Sequence, residues 1–280
     1  MTTRTTSEAK PAAGAAATAY ERELQAARDA AMAAGQILQR YYRDGGYQVD
    51  SKGHDNPVTT ADFEADSKLK QILRDAFPAY GWLSEETADS DERLNRDRVW
   101  IVDPLDGTKE FIRGIPEFVV AIALTEHGVP VMGVTYNPIK HEMFWSVRGA
   151  GCHLDGAPVT VSSTRTLDNA TILASRSETA RGEWKAYEGR VIVRAIGSVA
   201  YKLALVAAGQ ADATFTLTPK SEWDIAAGAA LIIAAGGRVT DVHGNELRFN
   251  RREVKVPGLV ASNGYLHAAL ERMLPGSDQK

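Results

Sequence analysis

Two carboxylates stand three residues apart in Trp100-Ile-Val-Asp103-Pro-Leu-Asp106-Gly107-Thr108-Lys-Glu-Phe111, directly after a short apolar run. A strand ending in such a turn can aim both at one point. Pro104 fixes one φ angle, and Gly107 tolerates positive φ or close approach. Carboxylates and carbonyls that converge suit Mg²⁺, a hard cation with oxygen ligands. Thr108-Lys-Glu-Phe-Ile reads as a helix start whose free N–H groups would face a phosphate. The same string also suits a plain Asp-Gly turn with Asp103 as a helix cap, so alone it leaves both readings open.

Three other segments bring further acids. Leu83-Ser-Glu85-Glu86 ends an apolar run, although a solvated loop would look the same. Asp62, after Asn56-Pro-Val-Thr-Thr-Ala, sits at a helix start, where it would also cap. Asp224, in Trp223-Asp-Ile-Ala-Ala-Gly228, falls in the first turn of a small-residue helix. At about 4 Å and an effective dielectric near 20, two unit negative charges repel by roughly 4 kcal/mol. Several carboxylates sharing a cleft with a phosphate dianion therefore require cations.

These residues need elements to hold them. The apolar spacing predicts an amphipathic helix over 19–42, with Leu24, Ala27, Ala31, Ile37, Leu38 and Tyr41 on one face. A second helix starts near Ala61, with Phe63, Leu69, Ile72 and Leu73 inward, and stops before Pro78. Strands follow over 99–102, 118–125, 129–136, 143–147, 151–154 and 158–162. His127-Gly128 and Asp155-Gly156 are hairpin signals. After Ser163 the texture alternates: strands at 171–174, 191–194, 213–215, 238–240 and 259–261, helices at 180–187, 199–208, 224–235 and 265–274. Residues 1–18, Ala/Thr-rich, read as a mobile tail. The expected organisation is an N-terminal α+β half over 19–163 and a C-terminal α/β half over 164–280, meeting at a cleft.

The 280 residues are 44% hydrophobic and 24% charged, an ordinary globular composition that rules out collagenous and wholly disordered chains. The net charge, 32 − 36 = −4, comes without a basic stripe and argues against a nucleic-acid polymer as partner. The single cysteine, Cys152, permits no intrachain disulfide, points to a reducing, cytoplasmic setting and reads as inert. Six histidines without a His-x-x-x-His pair argue against zinc. The apolar run 118–124 is far short of the roughly 20 residues that span a bilayer, which leaves peripheral membrane association open. His141 and Glu142 read as surface, and Trp223 as a packing residue.

In this order and spacing, W-x-V-D-P-x-D-G-T-x-x-F and W-D-x-A-A-G resemble the motifs of the Mg²⁺-dependent, lithium-sensitive phosphatase superfamily of inositol monophosphatase and fructose-1,6-bisphosphatase, over about residues 20–270. The resemblance implies an αβαβα sandwich with metals between its halves. Leu83-Ser-Glu-Glu86, Asp103 to Phe111, Gly197-Ser198, Leu205 to Asp212 and Pro219 look most like the bacterial 3′(2′),5′-bisphosphate nucleotidases of the CysQ type, which act in sulfur assimilation. Inositol enzymes often carry a Glu seven residues before the Trp-Asp acid; here Leu217 stands there.

By resemblance, Glu85, Asp103 and the Leu105 carbonyl hold one Mg²⁺, and Asp103, Asp106 and Asp224 a second; a third is weaker and lies near Asp62. Glu85 and Thr108 would orient or deprotonate the attacking water, with Asp62 polarising Thr108 and Glu86 behind them. Leu105, Asp106, Gly107, Thr108, Gly197, Ser198 and Asp224 would meet the substrate, with the backbone of Gly107 and Thr108 on the scissile phosphate. Lys202, Thr218 and Ser221 are candidates for a second phosphate or a ribose, whereas Lys220 reads as a solvated loop lysine. The expected partner is a small phosphorylated metabolite, most simply adenosine 3′,5′-bisphosphate, and the expected assembly a homodimer. The competing expectations are an inositol, sugar or histidinol monophosphatase and, from another class, a catalytically silent nucleotide or metal sensor.

Overall fold

The computed structural model describes residues 19–53 and 56–274; the tail at 1–18 lies outside them. The chain runs α1 (Glu21–Asp44), β1 (Val49–Ser51), β2 (Pro57–Thr59), α2 (Thr60–Ala76), β3 (Gly81–Ser84), β4 (Arg98–Asp106), α3 (Thr108–Ile112), β5 (Val119–Glu126), β6 (Val129–Asn137), β7 (Glu142–Val147), β8 (Gly151–Leu154) and β9 (Ala157–Val159). It continues through β10 (Thr171–Ser175), α4 (Arg176–Ala180), β11 (Ile192–Ile196), α5 (Val199–Ala207), β12 (Ala213–Thr216), β13 (Lys220–Ser221), α6 (Glu222–Ala234), β14 (Arg238–Asp241), β15 (Lys255–Val256), β16 (Leu259–Ser262) and α7 (His267–Met273).

Strands β3 to β9 form a seven-stranded sheet in sequence order, antiparallel except for the parallel pair β3–β4. The second sheet has five strands in the order β11-β10-β12-β16-β14. Alternation along β4 decides the layering, because successive side chains point to opposite faces. Trp100 and Val102 join Leu38, Leu69 and Leu73 of α1 and α2 in one core. Val99 and Ile101 join Leu203 of α5, Ile225 and Leu231 of α6, and Leu259 and Ala261 of the second sheet in another. A third core, with Trp184, Phe215 and Leu270, covers the far face of the second sheet under α7. The result is the αβαβα sandwich. Among the described residues, no helix is long and apolar enough to cross a membrane.

Helix α6 lies very close to the sheet. A Cβ added at Gly133 in β6 would sit 2.4 Å from the Ala227 carbonyl oxygen and 3.0 Å from the Ala230 Cβ. Backbone cannot retreat as a side chain can. Gly133→Ala is therefore expected to cost at least about 1–3 kcal/mol, the usual range for overpacking, read as a lower denaturant midpoint. An unchanged midpoint would show that the helix can slide.

Most elements fall where the sequence places them, and both hairpin turns have the left-handed pairs that type I′ requires: His127 φ 50° with Gly128 φ 75°, and Asp155 φ 50° with Gly156 φ 84°. Three expectations need correction. Phe63 is 48% exposed, because the buried stripe of α2 runs through Ala61, Ala65, Leu69 and Leu73, which leaves Phe63 on the outer face. The helix expected at 180–187 is instead α4 at 176–180 and a 3₁₀ turn at Lys185–Tyr187. Gly182, φ 80°, interrupts it, and the 3₁₀ turn still buries Trp184 and Tyr187. The strand read as 99–102 extends to Asp106, with a register shift between Asp103 and Asp106.

Candidate active site

That register shift builds the centre of the site. Asp103 pairs with Ala121 and Asp106 with Val119, so one extra residue bulges out between them. The Leu105 N–H turns back to Asp103 Oδ1 at 3.0 Å. Gly107 follows with φ 105°, and a Cβ there would lie 2.9 Å from the Glu117 carbonyl oxygen. Because β3 runs parallel to β4, with Ser84 level with Val102, Glu85 leaves β3 beside Asp103, its N–H on the Val102 carbonyl at 3.3 Å. Asp224 arrives from the second half in the first turn of α6. There its Oδ2 accepts the Ser221 N–H at 2.9 Å in a capping box. Capping was the plain reading of Asp224 and of Asp62, and both acids do cap as well as join the site.

Carboxylate oxygens of Glu85, Asp103 and Asp224 all lie within 4.8 Å of one another. Desolvation, followed by the charges of Glu85, Asp106 and Asp224, holds the Asp103 carboxyl well above the usual range. Burial and the neighbouring Asp106 and Glu85 push Asp224 up to about 7. Asp106 is also raised by burial, although its Oδ2 accepts both the Ser198 hydroxyl and the Ala200 N–H at 2.6 Å. Oxygen-only acids that destabilise one another's charge are the donor set a hard dication neutralises, so the residues fit Mg²⁺. Among the described residues, one cation pairs directly with these acids: Lys52, whose ammonium donates to Glu85 Oε1 at 2.9 Å and to Glu86. Even so, burial leaves the Glu86 carboxyl at about 7.

Thr108 lies at the mouth of the cluster. Its hydroxyl is 3.1 Å from Asp62 Oδ1 and 3.1 Å from the Leu105 carbonyl. Asp62 Oδ2 is taken by the Thr59 N–H and hydroxyl, and burial raises the Asp62 pKa.

A cavity of about 240 Å³ opens here. Its wall includes Glu85, Asp103, Leu105, Asp106, Gly107, Thr108, Gly197, Ser198 and Asp224. Asp62 stands behind Thr108, outside the wall. Asp66 accepts the Ser84 and Thr87 hydroxyls and braces the Glu85 loop from α2. Gly197 donates its N–H to Glu117, itself held by Arg176 in a two-point ion pair at 2.7 Å. Ser198, φ 59°, presents its hydroxyl to Asp106.

The structure also adds residues and corrects others. Lys202 is 5% exposed, lines the cavity, and no hydrogen bond or ion pair reaches its ammonium among the described residues. Desolvation, reinforced by Lys220, lowers it to about 8. Lys220 is no solvated loop lysine; it is half-buried on the same wall. Lys52, Glu110, Ser175 and Ser177 were not singled out by sequence. Glu142 is not plain surface, since it accepts the Tyr201 hydroxyl at 2.6 Å. Burial raises the Cys152 thiol to about 12, in keeping with an inert residue, and Trp223 packs against the central core.

Residues 19–276 match the model of the inositol monophosphatase family. The chain is 38% identical over 250 residues to an inositol-1-monophosphatase of Mesorhizobium japonicum, covering 86% of this chain and 91% of that protein. The crystal structure of the extragenic suppressor protein suhB from Bartonella henselae superposes with a TM-score of 0.80 at 34% identity, covering 91% and 98% of the two chains. CysQ from Bacteroides thetaiotaomicron, also 34% identical, gives 0.72 over 88% and 98%. With the acids gathered as described, the chain belongs to the inositol monophosphatase family of Mg²⁺-dependent phosphatases.

Proposed function

We propose that this phosphomonoesterase is a 3′(2′),5′-bisphosphate nucleotidase, converting adenosine 3′,5′-bisphosphate to AMP and phosphate in the cytoplasm. Two or three Mg²⁺ would be held by Glu85, Asp103, the Leu105 carbonyl, Asp106 and Asp224. Bound there, the ions supply charge neutralisation at the phosphoryl group and a more acidic water. The protein's own residues do the rest. Asp62 Oδ1 takes the Thr108 hydroxyl proton in a hydrogen bond, which leaves the Thr108 lone pairs to accept from the attacking water. Glu85, an acceptor on the same wall, completes the orientation of that water and receives its proton. Gly107 and Thr108 present backbone to the scissile phosphate, while Ser198 and Gly197 keep Asp106 and the loop in place. The residue spans 19–163 and 164–280 would act as two halves around this cleft, and the protein would work as a homodimer.

Lys202 carries the substrate assignment. A buried, unpaired ammonium beside Lys220 gains most from a substrate with a second anion. Leu217 is 47% exposed and not on the cavity wall, so that position offers no carboxylate to an inositol hydroxyl. Names of relatives such as the Mesorhizobium enzyme favour inositol 1-phosphate as the second reading.

Turnover of both substrates by the Mg²⁺-loaded enzyme decides between them. The expected result is a higher kcat/KM for the bisphosphate. Lys202→Met should raise its KM at least about tenfold, the loss of one charge-assisted contact, with less effect on a simple monoester. A preference for inositol 1-phosphate, or equal effects of Lys202→Met on both, would overturn the assignment.

A further inference from the structure

A second cavity, of about 120 Å³, lies behind the Glu85 loop and shares no residue with the catalytic wall. Its rim is formed by the last turns of α2, the start of β3 and the segment 87–96. Three cations line it: Lys70, Arg74 and Arg96. None has a carboxylate or hydrogen-bond partner among the described residues. Arg93 also borders it, but its guanidinium is committed to Asp89, Asn250 and the Arg251 carbonyl. Glu92 is the one carboxylate on the wall, and no ion pair joins it to the three cations.

The floor supplies an independent observation. Trp82 is nine-tenths buried, its ring packed in the core beneath α1 and α2, and it lines this cavity. Its indole N–H is buried with no acceptor. An indole nitrogen is only a donor, and leaving it unsatisfied costs about 1–3 kcal/mol. Ser90 adds a hydroxyl whose oxygen accepts the Glu92 N–H at 3.3 Å and whose proton is donated to no described residue. Three cations and a hydroxyl thus line a space whose one carboxylate, Glu92, pairs with none of the cations, above an indole N–H left without an acceptor.

We propose that this cavity binds a phosphate group, separately from the catalytic site. Arginine forks bind carboxylates and phosphates alike, but three cations together match the two charges and the several oxygens of a phosphate more fully than the single charge of a carboxylate. The volume is about four times the roughly 30 Å³ of one water, enough for a phosphate, and half the 240 Å³ of the catalytic cavity. The occupant is inorganic phosphate, the product of the family's reaction, or the terminal phosphate of a small ester.

The test uses the full chain, ¹⁵N-labelled, in EDTA. Sodium phosphate is titrated against sodium chloride at matched ionic strength, and the indole N–H signals of the five tryptophans are followed. The Trp82 signal, assigned through Trp82→Phe, is expected to shift saturably with phosphate and not with chloride. Lys70→Gln combined with Arg74→Gln, on the half-buried and exposed parts of the rim, is expected to weaken binding at least about tenfold while the other indole signals keep their folded positions. Glycerol phosphate distinguishes the two sources: tighter binding than phosphate assigns the ester, no response assigns the free ion. The proposal fails if Trp82 does not respond, if chloride shifts it equally, or if the double substitution leaves its half-saturation unchanged.

Discussion

Asp103→Asn is expected to release phosphate at least about a thousand-fold more slowly than the parent, because on the proposed metal assignment it removes the central charge that would gather the cations and so several kcal/mol of transition-state stabilisation. The same substitution is expected to raise the melting temperature in EDTA. Asp103 is 1% exposed, and its charge is opposed by Glu85, Asp106 and Asp224. Asparagine keeps the shape, and its oxygen can still accept the Leu105 N–H that now binds Asp103. Charges about 5 Å apart at an effective dielectric near 20 repel by roughly 3 kcal/mol, so relief of even part of this would move melting by on the order of 5 °C. Opposite signs for activity and stability mark a carboxylate kept for chemistry at a structural cost. Activity within about tenfold of the parent would refute the metal assignment and revive the silent sensor. Lower stability in EDTA would show that Asp103 has a structural role.

The metal-free protein is expected to lose stability as pH rises from about 4 to about 7, the reverse of a usual acid-unfolding curve. Asp224 titrates at about 7 in the fold against 3.8 for the free group, and Glu86 at about 7 against 4.5, both chiefly through burial. The folded state therefore binds more protons than the unfolded chain in that window, and stability falls with pH across it. For Asp224 alone, the rise from 3.8 to about 7 corresponds to at most about 4 kcal/mol. Asp89, hydrogen-bonded by Arg93, and Glu117, where Arg176 outweighs burial, are held below their usual values. Their stabilisation disappears only at lower pH. His267, which burial lowers from 6.5 to about 4, acts in the opposite sense within the window but is outweighed by Asp224 and Glu86 together. Mg²⁺ at about one hundred times its dissociation constant adds about 2.7 kcal/mol and should raise melting near pH 7.5 by roughly 5–10 °C. Calorimetry from pH 4 to 8, with EDTA and with Mg²⁺, reads both. Stability rising with pH in EDTA, or no shift with Mg²⁺ at millimolar concentration, would count against the cluster.

Much of the site was legible because its signals are local. Asp103, Pro104, Asp106 and Gly107 form a turn within five residues, and Asp62 and Asp224 announce helix starts by capping spacing. Lys202 left a weaker sign: a lone lysine in an apolar helix whose residues 200–207 are all buried. Lys52 left none, since its partners lie 33 and 34 residues away. Lys70, Arg74 and Arg96 read as ordinary solvated charges until Trp82 closes the space behind them.

Residue types, turn chemistry and periodicity alone determined the acids, their likeness to a metal-dependent phosphatase, and most element boundaries. Only the tertiary structure decided that parallel β3 and β4 set Glu85 beside Asp103, that α6 carries Asp224 across to them, and that Lys202 stands unpaired. The physical reason is that hydrogen bonds and periodicity act over a few residues, whereas the energy of a charge depends on burial and on neighbours brought from distant parts of the chain.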